Sequence, residues 1–140
     1  MLAMLRVAVI TVIGSLALAG CEEEAAPEKS ELSLRFSEFG YEFKDGRHRY
    51  NHDRFFVESG GVGVTIVRGK VCVMNGTDCA DALVNYRIEA SQTLEQKDHY
   101  VATPSDIDRI TMRYWAEDDA GNAFEFEKVV VTHGKTVTVE

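Results

Sequence analysis

From Leu32 onward, apolar and polar residues alternate along the chain. Leu32, Leu34 and Phe36 interleave with Ser33, Arg35 and Ser37, and Phe39, Tyr41 and Phe43 continue with parity shifted by one. Alternation of period two marks a half-buried strand, because successive side chains point to opposite faces. The parity shift predicts a bulge or bend near Ser37–Glu38 that resets the facing. In YEFKDGRHRY, Asp45-Gly46 predicts a two-residue hairpin turn. That register sets Tyr41 opposite Tyr50 and Glu42 opposite Arg49, both favourable pairs. It also sets Lys44 opposite Arg47, which is unfavourable.

The alternation resumes after a Ser59-Gly60-Gly61 loop. Val62, Val64 and Ile66 share a face, and Val71 and Val73 follow on shifted parity. Gly69 therefore marks either a bulge in one long strand or a turn between two short ones. Further strands are predicted around Val84, Tyr86 and Ile88, around Ile110, Met112 and Tyr114, around Phe124 and Phe126, and in the terminal TVTVE. Asp118 to Asn122 reads as a turn. The polar stretch SQTLEQKDHYVATPSD predicts no element, and no helix of useful length is predicted after residue 21. About seven or eight short strands with frequent turns indicate an all-β domain over residues 32–140. A β-sandwich is the leading architecture and a small β-barrel the alternative.

The length of 140 residues suits one domain, and 45% apolar with 27% charged residues is ordinary for a globular chain. The net charge is −8, and Lys and Arg are nowhere clustered in the sequence. Nucleic acid is excluded as a partner on that ground, because phosphate binding needs grouped cations.

The first twenty residues, MLAMLRVAVITVIGSLALAG, place Arg6 before an apolar run from Val7 to Ala19 that ends in small residues. This is the layout of a secretory signal. An uncleaved single-pass anchor is the alternative, but a span needs ~20 apolar residues. The LAGC of Leu18 to Cys21 resembles the lipobox of bacterial lipoproteins. The resemblance implies cleavage before Cys21, diacylation of its thiol and residence in a bacterial envelope. Two acyl chains hold a protein on a bilayer stably. Glu22, Glu23, Glu24, Glu28 and Glu31 make residues 21–31 an acidic tether that cannot bury apolar area. In such lipoproteins an Asp after the cysteine favours the inner membrane. Glu22 stands there instead, so the resemblance leans to the outer membrane, facing the periplasm.

Export leaves Cys72 and Cys79 as an even pair in an oxidising compartment, around an Asn75-Gly76 turn that can return the chain. A disulfide is the expectation. A reactive dithiol is the alternative, without the C-x-x-C spacing that favours it. The segment from Val62 to the end resembles bacterial immunoglobulin-like modules. GKVCVMNGTDCADALVNYRI looks like two core strands around a loop, and ITMRYWAEDDAGNAFEFEKVVV like a final hairpin. It departs from antibody domains in two ways. Cys72 and Cys79 are too close in sequence to bridge opposite sheets, and Trp115 lies on a late strand.

Candidate chemistry is sparse. Asp118, Asp119 and Asn122, with Asp106 and Asp108 from a neighbouring loop, could offer oxygens to calcium, but the spacing is not that of an EF-type loop, and a solvated turn explains the same residues. His48 and His52 lie ~13 Å apart on a strand and cannot share a metal. No nucleophile elbow or comparable catalytic motif occurs, so no catalytic residue, metal or cofactor is assigned. More informative are Phe39, Tyr41, Phe43, Tyr50, Phe55 and Phe56, interleaved with Arg35, Arg47, Arg49 and Arg54. Aromatic and Arg side chains are favoured at recognition sites. Tyr41, Arg47, Arg49, Tyr50 and Arg54 are the candidate binding residues, although alternation sends every second ring inward. The leading reading is a non-catalytic, lipid-anchored module that presents a β-sandwich to an envelope protein or glycan. A second is a periplasmic inhibitor of a basic cell-wall hydrolase of the lysozyme type, steered by acidic charge.

Overall fold

The computed structural model describes Gly20 and residues 28–140. Cys21 and the acidic run Glu22–Glu24 lie outside the described residues. Nine strands occur among the described residues: β1 (Leu32–Phe36), β2 (Gly40–Lys44), β3 (Arg47–Glu58), β4 (Val64–Val73), β5 (Asp78–Ile88), β6 (Thr93–Thr103), β7 (Ile107–Asp118), β8 (Ala123–His133) and β9 (Thr136–Val139). They form two antiparallel sheets packed face to face as a β-sandwich that does not close into a barrel. In the first sheet β3 pairs β6 along one edge and β1 then β2 along the other. The second has the order β5-β4-β7-β8-β9. The chain changes sheet between β3 and β4, β5 and β6, and β6 and β7.

Local chemistry explains the elements. Asp45 and Gly46 both take positive φ, 52° and 74°, as the right-handed twist of a two-residue hairpin requires. The resulting register is Tyr41 with Tyr50, Glu42 with Arg49 and Lys44 with Arg47. Phe36 and Gly40 bound the bend near Ser37, where the Asp53 amide donates to Ser37 Oγ at 2.8 Å and the Ser37 amide to the Asp53 carbonyl at 2.9 Å. β4 is one long strand whose register shift falls between Ile66 and Arg68. Gly69 lies under the Tyr114 ring, where a Cβ would come within a tight 3.2 Å of Cε1. The polar stretch expected to hold no element is β6, eleven residues long. It was hidden because its inward side chains are mostly polar. A register shift also breaks its alternation where Asp53 faces the Asp98 turn.

The core is a run of aromatic and β-branched side chains between the sheets. Phe56 meets the Tyr114 ring edge-on at 5.1 Å, and Tyr114 stacks on Phe126 at 5.5 Å. Ile66, Ile88, Ile110, Val64 and Val130 are fully or almost fully buried beside them. The end of the expected tether belongs to the fold. Ser30 is buried, its amide donates to Asp118 at 3.0 Å and its hydroxyl to Glu58 at 3.1 Å. Residues 28–31 therefore dock onto the β7–β8 turn and the end of β3. The chain enters the sandwich at the pole that holds Glu58 and Asp118. The β2–β3 hairpin, the β4–β5 turn and the start of β7 form the opposite pole.

Candidate functional site

At that opposite pole the sheets part and leave a groove of about 620 Å3 on the open side of the sandwich. One wall is built from Lys44, Asp45, Arg47 and Arg49 of the β2–β3 hairpin with Tyr100 and Val101 of β6. The other is Val71, Val73, Asp78 and Ala80 of the β4–β5 hairpin. Arg49 is fixed in place. Its guanidinium lies 3.6 Å over the Tyr100 ring, and Nε donates to Asn51 Oδ1 at 3.0 Å and approaches Glu42 Oε1 at 3.2 Å. Tyr100 is 55% exposed and lines the groove. Among the described residues, neither Lys44 nor Arg47 makes an ion pair, so their charge is directed to solvent. Three cations, with Arg49 already paired to Glu42, and two carboxylates, Asp45 and Asp78, therefore line the groove in a chain of net charge −8.

The groove is rigidly built. Cys72 and Cys79 oppose one another in the β4–β5 ladder, Cα atoms 4.0 Å apart, and are disulfide-bonded. At the β4–β5 turn, which follows Val73 in sequence, the buried Asp108 carboxylate accepts from the Met74 amide at 2.9 Å, the Asn75 amide at 3.0 Å and Thr103 Oγ1 at 2.6 Å. It therefore ties the β4–β5 turn to the end of β6. Burial alone raises the Asp108 pKa, but these donors outweigh it and hold the carboxyl below its ordinary value.

Of the five candidate binding residues, the structure brings Arg47 and Arg49 into the groove. Tyr50 is a correction: it is 0% exposed and its hydroxyl donates to the Gly134 carbonyl at 2.6 Å, so it is core and meets no ligand. Arg54 is a second correction. It is 9% exposed, and its guanidinium donates to Gln96 Oε1 at 2.6 Å, Tyr114 Oη at 3.1 Å and Tyr86 Oη at 3.3 Å. Both lie at even positions of β3, whose side chains face the opposite sheet. Tyr41 is half-buried against Tyr50, bonded to His48 Nδ1 at 3.0 Å, and does not line the groove. Cys21 lies outside the described residues.

No family model matches the chain, and no curated protein matches it. Two solved structures are similar in shape. One, a protein from Bordetella pertussis named ApaA, is 12% identical, with 79% of this chain and 89% of that chain covered and a TM-score of 0.49. The other, a structural-genomics target, is 7% identical, with 79% and 83% covered and a TM-score of 0.48.

The acidic residues weighed for calcium do not meet. Asp108 and Asp118 stand at opposite ends of β7. Asp118 Oδ1 accepts the Ala120 and Asn122 amides at 3.0 and 2.9 Å, closing the turn, and Asp119 is clamped by Arg87 through two contacts of 2.7 Å. Among the described residues, no three metal-ligating side chains converge. Lys44, Asp45, Tyr100 and the β4–β5 wall are groove residues that sequence reading missed. The like-charge pair of Lys44 and Arg47 was the available signal.

Proposed function

We propose that this protein is a lipid-anchored, non-catalytic module of the bacterial envelope that binds an anionic partner in the groove between the β2–β3 and β4–β5 hairpins. The observation that carries this reading is that Lys44, Arg47 and Arg49 outnumber Asp45 and Asp78 around a largely apolar floor in an otherwise acidic chain. A groove of several hundred Å3 with an apolar lining and a few fixed polar groups is the usual form of a recognition site. Its position supports the anchored reading. Residues 28–31 enter at one pole, the groove lies at the other, and strands of twelve residues separate them by ~40 Å. Acylation at Cys21 then displays the groove away from the lipid surface, toward the periplasmic space.

The second reading, inhibition of a basic cell-wall hydrolase, draws on the net charge of −8 rather than on this groove. Cross-linking in intact cells with capture through a C-terminal tag tests the proposal. Arg47→Glu with Arg49→Glu reduces capture of the partner at least tenfold while the far-UV spectrum is kept, and Cys21→Ser moves the protein out of the membrane fraction. Undiminished capture by the folded double variant refutes the groove. Retention of Cys21→Ser in the membrane refutes the anchor.

A further inference from the structure

The groove floor is inner-facing sheet that the opposite sheet leaves uncovered. Val71 opposes Ala80 and Val73 opposes Asp78 in the ladder, and Val71 also opposes the buried Met112, so all four side chains sit on the core side. Beside them runs a free strand edge. β5 is bonded to β4 alone, and from Asp78 to Leu83 its register is unbroken. The close 4.0 Å approach of the Cys72 and Cys79 Cα atoms is that of a non-hydrogen-bonded pair. In such a pair each residue aims its own N–H and C=O away from its partner. Counting by twos, Cys79, Asp81 and Leu83 present these groups on the outer edge of β5. The small inward side chains of Ala80 and Ala82 do not shield them. The other long edge, β6, is broken by the irregularity at Asp98, and β9 has only four residues. Bulges and brevity protect edges, and β5 has neither over this stretch.

We propose that the groove takes an extended acidic peptide, which adds to the second sheet as a strand beside β5. This rests on the reading of the groove as an anion site. Strand addition supplies affinity through main-chain hydrogen bonds, and alternate side chains supply specificity. A strand placed there runs along the groove that Lys44, Arg47 and Arg49 line, which favours carboxylates on it at positions other than the one beside Asp78 of β5. The remaining side chains share the outer face with Leu83, which is 86% exposed. A glycan offers no regular ladder of N–H and C=O groups to this edge.

The test uses the detergent-solubilised full chain with two probes, a blocked synthetic peptide of alternating glutamate and valine, and oligogalacturonate as a polyanion without a peptide backbone. The peptide binds, slows hydrogen exchange across residues 78–83 at least tenfold, and binds at least tenfold more weakly to Asp81→Pro. Asp81→Asn, which keeps the amide, binds as the parent does. Peptide binding without slowed exchange overturns strand addition. So does binding of oligogalacturonate alone, sensitive to Arg47→Glu, and in that case the anion site stands. Binding of neither probe overturns both. If Asp81→Pro does not fold, exchange in the unaltered chain decides by itself.

Discussion

Arg54 illustrates how a residue's facing decides its role. It shares a strand with Arg47 and Arg49, but its side chain points between the sheets, where two tyrosine hydroxyls and Gln96 hold the guanidinium. Three rings, of Phe56, Tyr86 and Tyr114, lie within 6 Å of its Cζ. Truncating it leaves a cavity and strands those polar groups. Arg54→Ala is therefore expected to destabilise the domain by about 2–4 kcal/mol in urea titration while leaving groove binding unchanged. Lost binding at full stability would return Arg54 to the recognition surface. Lys44 and Arg47 show the converse. Directly opposed like charges weaken a hairpin, and such a breach of a local rule is commonest at functional sites. The sequence displayed that breach at once. What it could not display was Tyr100, some fifty residues away, whose ring Arg49 covers.

Among the elements, the β4–β5 hairpin is the groove's stiff wall. Its disulfide closes a loop with a sequence separation of 7. In the chain-entropy picture, so short a loop contributes ~2.5 kcal/mol. Replacing both cysteines with alanine is expected to lower stability by about 2–3 kcal/mol and to speed amide exchange in β5 before the rest of the second sheet. Uniform acceleration through both sheets would mean that the bridge does not act locally. Hairpin and alternation signals made most elements legible, including the β2–β3 register and the bend at Ser37. β6 was not legible, because Gln96, His99 and Thr103 occupy inward positions where the pattern rule expects apolar side chains. Their partners, among them Arg54 and Asp108, come from distant parts of the chain.

At the scale of the molecule, buried carboxylates join segments that are remote in sequence. Glu58 accepts the amides of Glu31, Gly60, Gly61 and Ser91, binding the entering chain to two loops. Burial raises its pKa, but those amides outweigh burial and hold it down to about 2, and Asp118 is held at about 2 by the Ser30, Asn122 and Ala120 donors against the same cost. Both groups bind protons more readily in the unfolded chain. Their stabilisation is complete above the unfolded values of 4.5 and 3.8 and is lost as pH falls toward about 2. His52 and His99 act higher. Desolvation lowers both pKa values in the fold, with Arg54 adding repulsion, so stability is full above pH 6.5 and declines below it as the unfolded imidazoles take up protons. Melting temperature is therefore expected to fall in two stages on acidification, one beginning near 6.5 and one below 4.5. Replacing His52 and His99 with asparagine removes the upper stage. A melting temperature flat from pH 7 to 5 in the unaltered protein would refute that stage.

Alternation and turn chemistry by themselves determined that the domain is all-β, where most of its hairpins lie, and that two cysteines face across one of them. These are local matters, since strand facing and turn type depend on residues a few positions apart. Only the tertiary structure decided that Tyr50 and Arg54 are core, that residues 28–31 belong to the fold, and that Tyr100 and the β4–β5 hairpin complete a cationic groove with Arg47 and Arg49. Each of those depends on which strand lies against which. That choice is settled by packing two sheets around one core, and no single stretch of the chain records it.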